Sequence, residues 1–490
     1  MASETPTYGI YVDGEWRAAE SGETRIASEP ATGDPLAELA AGTRADAGAA
    51  VEAARAAQPA LAELTAFERA ELCEQLAAAV REASDDLATW LTRDQGKPIA
   101  EARGELEACA REFEHAAAAV TNMETDVLPA RDPDKRIYTI RKPHGVVGVI
   151  TPWNFPANIP AEYLAPAIAG GNAVVWVPAP TTSVIAVKLL ERYAETDLPA
   201  GALNLVTGAG PVVGNAVVEH EGTDAVGFTG SPETGEAIAR AAGTRPTLLE
   251  LGGNGPVIVL DDADLETAVE CTAAGSFGNA GQICSASERV LVHEDVYEAF
   301  ADRLVERAEA VTLGDPLEED TDMGPLNNDD VAAKMDDHVA DALDKGATLR
   351  TGGERASGFP TDRYYEPTVL TGVSTDSLVN HVETFGPIAP LIPFETDEEA
   401  IEIANGIDLG LVSAVFTSDL ARAHRFSDRI ETGIVNVNAA SSYWEIHTPF
   451  GGHSGKHSGH GRLGGKYTVE ELTQTKTIAI DTGTADTIGE

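Results

Sequence analysis

Hydrophobic and polar positions change rhythm several times along this chain. Gly9–Trp16 alternates about Asp13-Gly14, which predicts two short antiparallel strands and a tight turn. From Ala45 to about Val120 the apolar positions fall at helical spacing among Ala, Leu, Glu and Arg, which predicts helices. Lys135–Lys142 alternates and is β-branched, as a strand or hairpin arm would be.

Continuous apolar runs then alternate with helical segments. Strands are expected at Val146–Thr151, Ala173–Val177, Leu203–Thr207 and Ala225–Thr229. Helices are expected at Pro160–Ala169, Thr182–Ala194, Val212–Glu219 and Pro232–Ala242. Strands apolar on both faces, each followed by a helix, make parallel βαβ units. Such a sheet binds ligands, nucleotides in particular, at the carboxyl ends of its strands. Gly252-Gly253-Asn254-Gly255-Pro256 predicts a hinge into a second α/β segment. Its expected strands are Val257–Leu260, Val290–Val292, Pro390–Phe394 and Gly433–Asn436. The alternating Thr475–Asp481 is expected to pair with an earlier strand.

A chain of 490 residues has room for two or three domains, and 43% hydrophobic residues is ordinary for a globular protein. No apolar run approaches the ~20 residues of a membrane span. Met1–Thr7 has neither a basic segment nor an apolar signal core, so the cytoplasm is the expected compartment. Charge adds more: 80 Asp and Glu oppose 34 Lys and Arg, a formal −46. That balance argues against nucleic acid and anionic membrane as partners. The acidic residues are dispersed rather than gathered in a tail, as on a solvated surface in a high-salt, halophilic cytoplasm. There the Debye length is about 3 Å at 1 M salt. An acidic patch for a basic partner is the competing reading. Cys73, Cys109, Cys271 and Cys284 show no metal-ligand spacing, and no metal site is expected. The first three lie in helical, Ala-rich contexts and are expected to be buried apolar residues.

Cys284 differs, because it closes the polar segment Gly281-Gln282-Ile283-Cys284. A helix start or a set of backbone amides around it would lower its pKa and favour the nucleophilic thiolate. Asn154 lies in Thr151-Pro152-Trp153-Asn154-Phe155-Pro156, a turn stiffened by two prolines that can hold an amide donor still. Glu250 ends the apolar strand Thr247-Leu-Leu ahead of Gly252-Gly253, an unusual setting for a surface carboxylate. Nucleophile, base and oxyanion donor are the parts a covalent reaction at a carbonyl needs. Phe228-Thr229-Gly230-Ser231-Pro232 follows a strand and opens a helix, so its glycine and the helix N-terminus can approach a pyrophosphate. Ser231 by itself is also simply a good N-cap.

The order, contexts and separations of these segments resemble the aldehyde dehydrogenase superfamily, through almost the whole chain. The resemblance implies an α/β fold with a Rossmann-like parallel-sheet cofactor domain at 1–124 and 144–253 and a second α/β catalytic domain at 254–448. It adds a small β oligomerisation element with the C-terminal tail, at 125–143 and 449–490, and a homodimer or homotetramer. It implies that Cys284 attacks an aldehyde while Asn154 and the Cys284 N–H hold the oxyanion. Hydride then passes to a nicotinamide, and Glu250 activates the water that hydrolyses the thioester. Branches that transfer the acyl group to coenzyme A commonly lack this base, so Glu250 favours water. The implied cofactor residues are Thr151, Pro152, Trp153, Val177, Pro178, Pro180, Phe228, Gly230, Ser231, Leu251, Gly252, Glu383 and Phe385. The implied substrate residues are Phe155, Asn158, Glu162, Ile283, Ser285, Tyr443 and Phe450. Pro449–Gly452 and Ser458–Arg462 match segments that shape the substrate mouth and the C-terminal packing.

One departure bears on the cofactor. Where the family usually has a Lys and a Glu for the adenosine ribose, this chain has Val177 and Pro180. NAD preference therefore does not carry over, and use of either NAD or NADP is expected, with Thr181 and Thr182 as substitute contacts. The tunnel positions are polar and offer no placeable arginine, which suggests a small oxygenated aldehyde. The candidates are 2,5-dioxopentanoate (alpha-ketoglutarate semialdehyde), succinate semialdehyde, lactaldehyde and glycolaldehyde. Two rival readings are a non-catalytic dinucleotide-binding scaffold and a coenzyme A-acylating dehydrogenase.

Overall fold

The computed structural model describes residues 5–483. Four helices, Arg44–Glu63, Ala66–Glu82, Ser84–Gln95 and Ile99–Thr121, occupy the Ala-rich stretch. Thr43 and Thr65 start the first two with reciprocal capping boxes through Asp46 and Glu68. The tight turn forms as expected, with Asp13 and Gly14 at φ 57° and 81° between Ile10–Val12 and Glu15–Arg17.

An eight-stranded sheet runs in the order Gly459–His460, Thr247–Leu251, Ala225–Gly230, Val146–Ile150, Ala173–Val177, Leu203–Leu205, Ile10–Val12, Glu15–Arg17. The five central strands are parallel, and the edges are antiparallel. Ile150 pairs with Val177 and with Phe228, while Gly230 pairs with Leu251, so the carboxyl ends of four strands share one edge. After Val146–Ile150 the chain builds outward on one side, then returns to build on the other. That reversal is the switch point where such sheets bind ligands.

A second, seven-stranded sheet holds Thr348–Thr351, Thr368–Thr371, Ile388–Phe394, Arg289–His293, Pro256–Val259, Val412–Phe416 and Ile434–Val437 in that order. Val412–Phe416, second from one edge, is wholly buried, although Ser413 interrupts its apolar pattern. The Ser413 hydroxyl is satisfied locally, by Thr432 Oγ1 at 2.8 Å and by the Ile434 carbonyl at 3.2 Å. Each sheet has its own apolar core.

Thr473–Asp481 pairs antiparallel with Lys135–Pro143 along nine residues, and Val127–Leu128 extends that small sheet. Gly459–His460, by contrast, closes the first sheet next to Glu250. Among the described residues no helix is long and apolar enough to cross a membrane.

Candidate active site

A cavity of about 430 Å³ opens at the carboxyl edge of the first sheet and reaches the second. Asn154, Glu250 and Cys284 all line it. So do Pro152, Trp153, Phe155, Asn158, Glu162, Gly230, Ser231, Leu251, Gly252, Ile283, Ser285, Glu383, Phe385 and Phe450. Thr151, Val177, Pro178, Pro180 and Phe228 stand outside its wall. Thr151 accepts from the buried Trp176 indole at 2.9 Å, and its N–H donates to the Val177 carbonyl at 3.1 Å. Phe228 packs in the core, its carbonyl accepting from the Tyr163 hydroxyl at 3.1 Å. Tyr443 is 53% exposed and hydrogen-bonds Glu445, whereas its neighbours Ser442 and Trp444 face the cavity.

The Asn154 turn is gripped from behind by an ion pair. Lys97 and Glu105 are 0% and 1% exposed at their side chains and 2.5 Å apart. Lys97 also donates to the Asn154 carbonyl at 2.9 Å and lies 3.9 Å over the Phe155 ring. Glu105 accepts from the Ala157 and Asn158 amides at 2.8 and 3.2 Å. The Asn154 side-chain amide donates to the Gln282 carbonyl at 3.1 Å, which leaves its second N–H for another acceptor. The motif signalled the turn but not its clamp, because Lys97 and Glu105 read as ordinary helical charges. Lys97→Met leaves Glu105 buried without its partner, and a loss of about 3–5 kcal/mol is expected. Denaturant midpoints check this, and an unchanged midpoint would refute it. Lys97→Met/Glu105→Leu should regain stability but not turnover.

Cys284 follows a strained turn. Asn279 and Ala280 sit at φ 47° and 53°, in the left-handed region. Such residues cost ~1–3 kcal/mol each and need support. Glu101 accepts from the Asn279 N–H at 3.1 Å, and Gln95 donates to its side chain at 3.1 Å. A Cβ on Gly253 would lie 2.1 Å from the Cys284 carbonyl, so only glycine lets the segment after Glu250 press against Cys284. No helix begins at Cys284; a strand, Arg289–His293, follows. Burial and the nearby Glu383, Glu162 and Glu250 push its thiol well up. Cys73 and Cys109 are fully buried, their thiols at about 12 through burial. Cys271 is half-buried.

Glu250 is 3% exposed, and neither carboxyl oxygen has a hydrogen-bond partner. Burial, then Glu162 and Glu471, raise its pKa well above the carboxylate range against the pull of Arg462. Its strand is pinned from the C-terminal side: Leu251 N–H donates to the Ser458 carbonyl at 3.2 Å, and Ser458 Oγ donates to the Gly252 carbonyl at 2.8 Å.

The features fit a dinucleotide. Ser231 caps the helix Pro232–Ala242, whose N-terminus meets the cavity. Phe385 is held at φ 57° because buried Glu288 accepts from the Thr384 and Phe385 amides at 2.7 and 2.6 Å. It stacks edge-on against Trp153 at 5.4 Å. Glu383 accepts from the Gly253 N–H at 2.9 Å; burial pushes its carboxyl up to about 7, against that bond and Lys334. Lys334 lines the same end of the cavity and was missed in the sequence, as was Glu288. The hydroxyls of Thr181 and Thr182, next to Pro180, are buried without partners.

A thiol, a buried carboxylate and an amide donor at the ligand edge of a parallel sheet, beside a helix N-terminus, fit a dinucleotide-dependent oxidoreductase. The chain belongs to the aldehyde dehydrogenase family, whose sequence model matches residues 16–478. It is 37% identical over 485 residues to alpha-ketoglutaric semialdehyde dehydrogenase of Bacillus subtilis, covering 98% of this chain and 99% of that one. It is 40% identical to 3-sulfolactaldehyde dehydrogenase of Pseudomonas putida, covering 96% of each. A solved NADP-dependent enzyme of E. coli superposes with a TM-score of 0.94 at 37% identity, covering 97% of this chain and 98% of that structure.

Proposed function

We propose that this NAD(P)-dependent aldehyde dehydrogenase oxidises a small polar aldehyde to its acid by a hydrolytic route through Cys284. The observation that carries this reading is the single cavity shared by Asn154, Glu250 and Cys284. The thiolate of Cys284 adds to the aldehyde carbon, and the free N–H of Asn154 with the Cys284 N–H takes the oxyanion. A donor so placed is worth roughly 3–4 kcal/mol. When bound, NAD or NADP supplies the hydride acceptor that converts the adduct to a thioester. Ser231 at its helix start, with Glu383, Phe385 and Lys334, holds the dinucleotide. Glu250 takes the proton of the attacking water, and hydrolysis returns the thiol.

With Val177 and Pro180 in place of polar ribose contacts, and two free threonine hydroxyls beside them, the enzyme uses both NAD and NADP. Assembly as a homodimer or homotetramer runs through the small sheet, whose outer strand leaves Val127 85% exposed. The acidic composition suits a high-salt cytoplasm. The test is reduced-cofactor formation in multimolar KCl with each dinucleotide and a panel of small aldehydes. Turnover without coenzyme A is expected; a strict coenzyme A requirement would refute the hydrolytic route.

A further inference from the structure

The substrate end of the cavity has a polar corner without a cation. Asn158 and Glu162 stand one turn apart on the helix Asn158–Ala169 and face the cavity together. Asn158 Nδ2 donates to Glu162 Oε1 at 2.7 Å. Asn158 Oδ1 is buried and has no hydrogen-bond partner. Among the described residues, no arginine lines the cavity, and its one lysine, Lys334, lies by Glu383 and Glu288 at the dinucleotide end. The nearby walls are apolar, with Trp444 and Phe450 stacked edge-on at 5.4 Å.

An orphan buried acceptor calls for a hydrogen-bond donor. A carboxylate or sulfonate would bring a full negative charge into a corner that holds no cation and lies beside two acidic side chains, Glu162 and its neighbour Glu105. The relatives named for alpha-ketoglutaric semialdehyde and 3-sulfolactaldehyde act on aldehydes with such anionic tails. A hydroxyl group instead donates to Asn158 Oδ1 and accepts from, or donates to, the Glu162 carboxyl.

We infer that Asn158 and Glu162 determine specificity, selecting a neutral hydroxylated aldehyde over one with an anionic tail. This rests on the dehydrogenase reading above. Burial and the neighbouring Glu105 push the Glu162 carboxyl up to about 8, so near neutral pH it is largely an uncharged acid. That favours a hydroxyl over a cationic amine as its partner.

The experiment compares kcat/KM for glyceraldehyde, propanal, succinate semialdehyde and 3-aminopropanal with the full-length protein in high salt. Glyceraldehyde should lead propanal by ~10–100-fold, as a site built for a hydroxyl discriminates against its absence. Succinate semialdehyde should trail further. Asn158→Leu should collapse the glyceraldehyde-to-propanal ratio, with thermal melting confirming the fold. Glu162→Gln, a neutral isostere that donates and accepts, should keep the ratio within about threefold and guards against a misfolded leucine variant. A lead for succinate semialdehyde or for 3-aminopropanal would overturn the inference. So would a collapse of the ratio in Glu162→Gln, since charge would then be required. No reduced cofactor from any aldehyde would instead overturn the dehydrogenase reading itself.

Discussion

Cys284→Ala will reduce steady aldehyde oxidation by on the order of 10⁴-fold or more, because no other described thiol lines the cavity. The alanine keeps the backbone N–H and the fit against Gly253, so the loss is chemical and the melting temperature should barely move. Stopped-assay rates beside a melting curve check both halves; residual turnover near wild type would refute the nucleophile. The same thiol makes a pH prediction. Its pKa stands above the ordinary thiol value of about 8.5, so the thiolate fraction of ligand-free enzyme is small at neutral pH. Alkylation by iodoacetamide should keep climbing with pH beyond that value rather than level off below it. A plateau near pH 7 would mean that an unseen positive field offsets Glu383, Glu162 and Glu250.

Glu250→Gln will separate the two halves of the reaction. Attack by Cys284 and hydride loss do not use the carboxylate, so close to one equivalent of reduced cofactor per site should appear as a burst. Hydrolysis then lacks its base, and steady turnover should fall by about 10²–10⁴-fold. A denatured, quenched sample should carry the acyl mass on Cys284. Normal steady turnover, or no burst at all, would refute the assignment. In the wild type the Glu250 carboxyl is held protonated well above the ordinary carboxylate value of about 4.3. The base form therefore grows as pH rises, and deacylation-limited kcat should rise with it at pH values above the ordinary carboxylate range. Glu250→Gln should lose that dependence.

The parts of the fold legible in the sequence were those where local pattern and tertiary role agree. Ala173–Val177 and Pro232–Ala242 were bounded to the residue, since an apolar β-branched run and a capped helix with Pro at its first turn need no distant partner. Val412–Phe416 was not legible. Its Ser413 breaks the apolar run and is satisfied by Thr432 and Ile434, residues whose proximity exists only after folding. The site shows the same division. Asn154, Glu250 and Cys284 could be named because each sits in a segment whose glycines and prolines already report an unusual backbone. Lys97 and Glu105 hold the Asn154 turn, and Glu288 holds Thr384 and Phe385, yet in the sequence they are single charges on ordinary patterns. The electrostatics of Cys284 were not legible for a related reason: the burial that raises its thiol, and the carboxylates that add to it, come from segments far from it in sequence.

The pairing of Gly459–His460 with the Glu250 strand also has a consequence for how the protein is made. Its sheet joins strands from residue 10 to residue 460, so the edge beside Glu250 stays open until residue 460 has left the ribosome. Thr473–Asp481, synthesised after it, then closes on Lys135–Pro143. Such long-range pairing is slow, and the waiting edge is exposed to other nascent chains. Synthesis order thus leaves the Glu250 strand without this edge partner until residue 460 has emerged.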